Sequence, residues 1–93
     1  MINITYSQKF IKNYQRITKK NKEMRNAYEK FIKKFQGNPF SNGLKTHTVN
    51  LSLGKVYSSR VTGDIRILWE FVNEKEVSFA STGRHSGSHS IYK

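Results

Sequence analysis

The chain is short, strongly basic and free of cysteine, and each property excludes a class of protein. Its 93 residues leave no room for a second independently stable core, so a single domain over residues 1–93 is expected. The 17 Lys and Arg residues against 6 acids give a net charge of +11, which is most simply explained by a polyanionic partner, nucleic acid first and an acidic protein second.

The N-terminal sequence has no apolar segment of the kind that directs secretion, and no stretch approaches the length that spans a membrane. The absence of cysteine excludes disulfides and thiolate metal sites, and it fits a reducing compartment. The sequence therefore predicts a cytoplasmic protein with no membrane partner.

The first part of the chain predicts a short strand followed by two basic helices. Apolar residues alternate over residues 2–6, and Ser7 and Asn21 are suited to cap two helices in which apolar residues recur at helical spacing. Gly37 suits the position just beyond the second helix. Residues 1–36 carry ten Lys or Arg against two Glu, so a basic helical hairpin is expected.

From Leu44 onward the apolar period changes to two, which predicts strands. Four strands joined by short turns are expected at residues 44–53, 56–61, 65–72 and 76–82, with turns at 54–55, 62–64 and 73–75. The order β-α-α-β-β-β-β indicates an α+β fold: an N-terminal strand and a basic helical hairpin packed on an antiparallel sheet of about four further strands. The Ser/His/Gly-rich stretch from Gly83 to Ser90 is expected to be a polar loop.

The second part of the chain also holds the residues that could carry chemistry. Cleaving RNA without a metal requires a base for the ribose 2′-hydroxyl, an acid for the departing 5′-oxygen, and fixed positive charge for the phosphate between them. Histidine can serve as either acid or base, arginine grips two phosphate oxygens, and tyrosine stacks on a base. The candidates are His47, Arg60, Arg66, Arg84, His85, His89 and Tyr92. Residue types alone do not distinguish this chemistry from an RNA-binding surface.

A metal site is the weaker interpretation of the histidines. His85 and His89 have the spacing of zinc ligands on a helix, but they lie among Gly and Ser, with no adjacent Glu. The acids are too few and too scattered for a carboxylate-bound metal. No metal and no cofactor are predicted.

Four segments, taken in order, resemble one known family over nearly the whole chain. They are the opening with Tyr6, Phe10, Tyr14 and Ile17; GNPF at 37–40 with LKTH at 44–47; YSSRVTGDIRILWEF at 57–71; and VSFASTGRH at 77–85. This pattern resembles the RelE/ParE superfamily of bacterial toxin–antitoxin systems, and more closely its ribosome-dependent mRNA interferases. The resemblance implies a RelE-like fold and an endoribonuclease toxin that cuts mRNA in the ribosomal A site by 2′-hydroxyl attack, without metal. Its implied partners are mRNA, the 70S ribosome and a cognate antitoxin.

The resemblance also implies roles for individual residues. Arg66 matches the arginine that contacts the scissile phosphate, and Arg60 matches a cation that stabilises the charge of the phosphate. His85 matches the general acid, and His47 matches a base. Tyr92 matches a residue that stacks on a base of the RNA or assists proton transfer. His89 also follows a Gly-Ser pair close to Tyr92, so the choice between the two C-terminal histidines stays open. Three further cations are expected to contact the substrate: Lys45, Lys55 and Arg84.

Two other functions remain open at this point. The gyrase-inhibiting ParE branch shares the fold and is not an enzyme, but it does not need Arg66, His85 and Tyr92 together. A plain RNA-binding module would keep its effect when His85 is substituted.

Overall fold

Two helices cover one face of a five-stranded mixed sheet. The computed structural model describes residues 1–51 and 54–84. The elements are β1 (Asn3–Tyr6), α1 (Gln8–Thr18), α2 (Lys22–Gly37), a 3-10 turn (Asn42–Leu44), β2 (His47–Leu51), β3 (Gly54–Arg60), β4 (Ile65–Asn73) and β5 (Glu76–Arg84). The strand order is β1-β5-β4-β3-β2, with β1 parallel to β5 and the other neighbours antiparallel. The predicted α+β architecture is confirmed, and the structure adds that β1 joins the edge of the sheet.

Both helices begin at the predicted caps. The Ser7 hydroxyl accepts a hydrogen bond from the Phe10 amide at 3.0 Å and donates to the Ala80 carbonyl at 2.6 Å, so this cap also ties α1 to β5. The Asn21 side chain accepts from the Met24 amide at 3.0 Å. Each cap satisfies a backbone donor that has no partner within its helix.

The end of α2 differs from the prediction by one residue. Gly37 is the last helical residue, and the extended Asn38 follows it as the cap. Because Pro39 disfavours a helical conformation in the residue before it, Asn38 leaves the helix by extending. No left-handed glycine is needed there.

The core is built from large aromatic and aliphatic side chains between the helices and the sheet. Its buried members are Phe10, Tyr28, Phe31, Phe35, Leu44, Ile65, Ile67, Trp69, Val77 and Phe79. The Phe35 ring meets Trp69 and Phe79 edge-on, with centroid distances of 4.8 and 5.1 Å, a preferred geometry for aromatic pairs. Six aromatic rings thus make up much of the core between the helices and the sheet.

Two residues of β4 depart from the expected alternation of buried and exposed positions. Alternation along this strand predicts that Phe71 faces the core and that Leu68 faces away from it. Phe71 is nevertheless 41% exposed, since it lies towards the far end of the strand and packs against the exposed Phe40. Leu68 lies outside the core cluster, yet it is only 4% exposed. The face of the sheet opposite the helices therefore also contains buried positions.

The turns and the last strand also differ from the prediction. Leu51 pairs with Gly54, so Gly54 and Lys55 begin β3 instead of forming a turn. β5 continues to Arg84, because β4 begins at Ile65 and these two residues pair at the end of the ladder. Gly83 and Arg84 are thus strand residues, and the predicted polar loop does not begin at Gly83.

Within the described part of the chain, neither helix has the length and apolar character that crossing a membrane requires.

Candidate functional site

The candidate residues that the structure describes lie mainly on the sheet face opposite the helices, here called the open face. Directly paired residues of neighbouring strands project from the same face. The pairing aligns one row across β2 to β5, which consists of His47, Ser58, Leu68 and Ser81. The next row consists of Arg60, Arg66 and Gly83. Ser58, Leu68 and Ser81 are buried, the two arginines are half-buried, and His47 is exposed.

Arg60 and Arg66 converge on one backbone oxygen. The Arg66 Nη1 donates to the Thr62 carbonyl at 2.8 Å and to the Gly63 carbonyl at 3.2 Å, and the Arg60 Nε donates to the same Thr62 carbonyl at 3.3 Å. Sharing an acceptor keeps these two nitrogens within about 6 Å of each other, where like charges repel appreciably. An anion between the two guanidinium groups would relieve this repulsion, and their planar forks suit phosphate oxygens.

The hairpin turn that supplies this carbonyl is held by the side chain of Thr62. Its hydroxyl oxygen accepts from the amides of Asp64 at 3.4 Å and Ile65 at 3.1 Å, while the Val61 amide donates to the Ile65 carbonyl at 2.9 Å. The direction of the Thr62 carbonyl is therefore fixed within the turn. Because the arginines are anchored before a ligand arrives, less conformational entropy is lost on binding.

The acid nearest in sequence to the arginine pair is engaged elsewhere. The Asp64 carboxylate lies 3.7 Å from the Arg84 Nε. Over residues 1–51 and 54–84 this is the one ion pair found, so within that part of the chain neither Arg60 nor Arg66 has a carboxylate partner. Arg84 was predicted to contact the substrate, but it pairs with core-facing Ile65. The strand register therefore does not place Arg84 in the row of Arg60, Arg66 and Gly83.

His47 is the described histidine on the open face. Its Nδ1 lies 2.9 Å from the Lys45 carbonyl, and because a carbonyl only accepts, Nδ1 carries the hydrogen. In the neutral ring this leaves Nε2 with a lone pair that can take a proton. From strand spacing and rise, the Cα of His47 lies about 8 Å from that of Arg60 and about 12 Å from that of Arg66. The arrangement brings a proton acceptor and a phosphate-binding pair to one surface.

The two candidate lysines are not part of this cluster. Lys45 is exposed and adopts a left-handed conformation after the 3-10 turn, and the contact it makes to His47 is through its carbonyl. Lys55 is exposed near the start of β3, and strand alternation puts it on the face opposite Arg60. Their roles in substrate binding remain predictions.

The C-terminal candidates His85, His89 and Tyr92 lie outside the described residues. Within residues 1–51 and 54–84, no three side chains of His, Asp or Glu come together in a way that could hold a metal ion.

Two buried hydrogen-bond chains support the site and were not predicted from the sequence. The Tyr28 hydroxyl lies 2.7 Å from the Thr82 hydroxyl, which donates to the Arg66 carbonyl at 2.8 Å. Since the single Thr82 proton goes to Arg66, Tyr28 is the donor to Thr82. Burial raises the pKa of Tyr28 to about 12.

The second chain joins the core to the residue before His47. The Trp69 indole donates to the Ser59 hydroxyl at 2.8 Å, and that hydroxyl lies 2.6 Å from the hydroxyl of Thr46. Thr46 donates to the Pro39 carbonyl at 2.6 Å, so Ser59 must donate to Thr46. A small hydroxyl residue within a predicted strand gives no sequence signal of such a role.

Comparison with known proteins gives matches in structure. No family model matches the chain, and no curated protein sequence matches it. Its fold is similar to that of YafQ from E. coli strain BL21(DE3), with a TM-score of 0.72 and 23% identity, covering 90% of this chain and 93% of YafQ. It is also similar to the YoeB–YefM complex from Staphylococcus aureus, with a TM-score of 0.71 and 23% identity, covering 92% of this chain and 99% of the matched chain.

The YoeB/ParE toxin from Agrobacterium tumefaciens is a further structural neighbour, with a TM-score of 0.74 and 13% identity, covering 91% of this chain and all of that one (100%). The TM-scores of 0.71 to 0.74 establish the shared fold. The chain has the fold of the RelE-type toxins, as the sequence resemblance predicts.

Proposed function

We propose that this chain is the toxin of a toxin–antitoxin system, and that it acts as an endoribonuclease that cuts mRNA in the ribosomal A site and so inhibits translation. The observation that carries the proposal is the pair Arg60 and Arg66, anchored on one turn carbonyl and without a carboxylate partner in the described residues, beside His47. The neighbours support the toxin class, since they include a YoeB–YefM toxin–antitoxin complex and a YoeB/ParE toxin.

The proposed reaction is an in-line displacement at phosphorus. His47 Nε2 takes the proton of the ribose 2′-hydroxyl, and the 2′-oxygen attacks the phosphate while the bond to the 5′-oxygen breaks. Arg60 and Arg66 stabilise the negative charge that accumulates on the phosphate oxygens. His85, or His89 in its place, protonates the departing 5′-oxygen. The products are a 2′,3′-cyclic phosphate and a free 5′-hydroxyl.

The C-terminal residues complete the proposed site. Gly83 pairs with Arg66, and His85 follows Gly83 by two residues in the sequence, which supports the choice of His85 as the acid. Tyr92 is proposed to stack on a base of the substrate or to assist proton transfer.

The charge of the chain fits the proposed partners. A net charge of +11 favours association with mRNA and the 70S ribosome, and this attraction should weaken steeply as salt rises. The proposed location is the cytoplasm, where these partners are found. A cognate antitoxin is proposed as well, since structural neighbours form complexes with DinJ and YefM.

The test is cleavage of a defined mRNA on purified ribosomes with an empty A site, mapped by primer extension. We expect a new 5′ end within the A-site codon that is absent without ribosomes and absent for Arg66→Ala. Lys9→Ala removes the same charge from the exposed surface of α1 and should cleave normally. An intact message under conditions where the wild type still arrests growth would contradict the proposal.

Inhibition of DNA gyrase is the second candidate function, because the fold is shared with a YoeB/ParE toxin. Purified gyrase should then lose supercoiling activity in the presence of the chain. Under this alternative, Arg66→Ala would leave the growth arrest unchanged.

A further inference from the structure

A cavity of about 390 Å³ lies where the turn between α1 and α2 meets the start of β4 and the end of β5. Arg16 of α1 and Arg84 of β5 line this cavity, and no acid is among the described residues that line it. Its apolar lining consists of Ile17, Met24 and Ile65. The volume is in the range of about 300–1,000 Å³ that small-molecule sites occupy. This cavity, here called the helix-junction cavity, therefore offers two guanidinium groups beside an apolar surface.

Both arginines of the helix-junction cavity are available to an anion. Arg84 contacts Asp64 at 3.7 Å, but the two side chains are 69% and 50% exposed. An ion pair so open to water contributes little to stability, so a phosphate group can take the place of Asp64. Arg16 is exposed, and within residues 1–51 and 54–84 no carboxylate lies at ion-pair distance from it. Two planar guanidinium groups suit the oxygens of one phosphate.

Hydrogen bonds at the junction of the helices fix the walls of the cavity. The Thr18 carbonyl at the end of α1 accepts from the Arg25 Nη1 at 3.2 Å and from the Asn21 amide at 3.0 Å. The Asn21 side chain in turn accepts from the Met24 amide at 3.0 Å. Because these bonds tie α2 to α1, the cavity exists before a ligand binds, and less conformational entropy is lost on binding.

The helix-junction cavity adjoins the arginine pair of the open face. Ile65 and Arg84 form one pair of the β4–β5 ladder, and Arg66 and Gly83 form the next. Gly83 also lines the cavity. The cavity therefore lies one residue pair, about 3.4 Å along the strands, from the row that contains Arg60 and Arg66. An RNA strand whose scissile phosphate is bound by the arginine pair would reach the cavity with a neighbouring nucleotide.

We propose that the helix-junction cavity binds a nucleotide of the message next to the cleaved bond. The phosphate of this nucleotide lies between Arg16 and Arg84. Its base packs on Ile17 and Met24, because apolar side chains hold an unstacked base and the methionine sulfur makes favourable contacts with aromatic rings. A phosphate alone would leave the apolar lining without a partner. The proposal rests on the proposed endoribonuclease function.

The first experiment measures RNA binding without ribosomes. The probe is a fluorescein-labelled oligouridylate with 2′-O-methyl groups, which the proposed reaction cannot cut, and fluorescence anisotropy reports its binding. Arg16→Gln/Arg84→Gln removes both charges of the cavity, whereas Lys9→Gln/Lys12→Gln removes two charges from exposed positions of α1 outside it. We expect about tenfold weaker binding by the cavity variant, and a change of less than about twofold in the α1 variant.

A second probe tests the contact with the base. An abasic oligomer carries the same phosphates without bases, so it should bind the wild type more weakly than the oligouridylate does. Met24→Gln keeps the length of the side chain but removes its apolar contact. This variant should bind the oligouridylate about threefold more weakly than the wild type, and the abasic oligomer equally well.

Crosslinking on ribosomes distinguishes the message from ribosomal RNA as the source of the nucleotide. The photoreactive amino acid p-benzoylphenylalanine replaces Met24, and Arg66→Ala keeps the message whole. We expect a crosslink to the mRNA at a nucleotide next to the site that the wild type cuts. A crosslink to ribosomal RNA instead would overturn the assignment to the message.

The remaining outcomes separate this proposal from the proposed function. Equal weakening in the cavity and α1 variants, or equal binding of the two probes by the wild type, would show that the cavity is not a nucleotide site. If binding changes as expected but the wild type cuts no mRNA on ribosomes, the endoribonuclease function fails while the cavity remains an RNA-binding site.

Discussion

Arg60 and Arg66, on opposite strands of the β3–β4 hairpin, donate hydrogen bonds to the same acceptor, the carbonyl of Thr62. Two cations are thereby held together without a counterion in the described residues, which is costly unless an anion binds. The Thr62 carbonyl in the turn holds both guanidinium groups in place before a ligand binds. The residue that shapes the turn should therefore matter as much as the arginines themselves.

Replacing Thr62 by valine should lower cleavage without unfolding the protein. The change keeps the shape of the side chain but removes the oxygen that accepts from the Asp64 and Ile65 amides. The loss of these two bonds is worth about 1–2 kcal/mol, which corresponds to roughly a tenfold change in rate if it is expressed in the transition state. Thr62→Ser keeps the oxygen and should retain activity. Cleavage by Thr62→Val at the wild-type rate would show that the turn does not position the arginines.

Substituting Arg66 separates the role of charge from the role of the guanidinium fork. Arg66→Lys keeps the charge but cannot make two parallel bonds to phosphate, so we expect a loss intermediate between the wild type and Arg66→Ala. Removing a donor that stabilises transition-state charge typically costs about 10²–10³ in kcat. Single-turnover cleavage on ribosomes measures the difference. Equal activity of the lysine variant and the wild type would show that Arg66 contributes only its positive charge and not two parallel bonds to phosphate.

The sequence predicts the elements whose causes are local. Ser7 and Asn21 are predicted as helix caps from their residue types just before two helical patterns. This prediction is confirmed because each side chain bonds to an amide only three residues away. The position of β1 beside β5 was not predicted, because this pairing joins residues more than seventy positions apart. Leu68 shows a similar limit: alternation gives its face correctly but not its burial.

The candidate site follows the same division. Arg60 and Arg66 were recognised as candidates by their residue type and by the family pattern around the hairpin. Both arginines bond to the backbone carbonyl of Thr62. Because every residue has such a carbonyl, residue types do not predict this contact. The chains through Thr82 and Ser59 were missed because the partners come from separate elements.

The stability that the Tyr28 hydroxyl contributes at neutral pH should be lost at alkaline pH. In Tyr28→Phe, Thr82 loses its hydrogen-bond donor, so stability near pH 7 should fall by about 1 kcal/mol. Burial raises the pKa of Tyr28 from 10.0 to about 12. The folded state therefore holds this proton more tightly than the unfolded state, and the associated stability is present below pH 10 and is lost as the pH rises towards 12.

Chemical denaturation of the wild type and Tyr28→Phe between pH 7 and pH 12 tests this expectation. The wild type should lose stability more steeply than the variant above pH 10, so the difference between them should narrow. Parallel curves across the whole range would mean that Tyr28 titrates with an ordinary pKa and is not held by the core.

Ser59 should link the stability of the core to the geometry of His47. Ser59→Ala leaves the buried Trp69 indole N–H without its acceptor, and it removes the hydroxyl that donates to Thr46, the residue before His47. An unsatisfied buried donor costs about 1–3 kcal/mol, so the melting temperature should fall.

Loosening of the segment that contains Lys45 and Thr46 in Ser59→Ala should also weaken the bond between His47 Nδ1 and the Lys45 carbonyl. Nitrogen NMR of the histidine ring would then report a mixture of tautomers where the wild type has the hydrogen on Nδ1. Thr46→Ser, which keeps the hydroxyl, should preserve the wild-type spectrum; a variant Ser59→Ala that melts lower but keeps the His47 spectrum unchanged would confine Ser59 to a structural role.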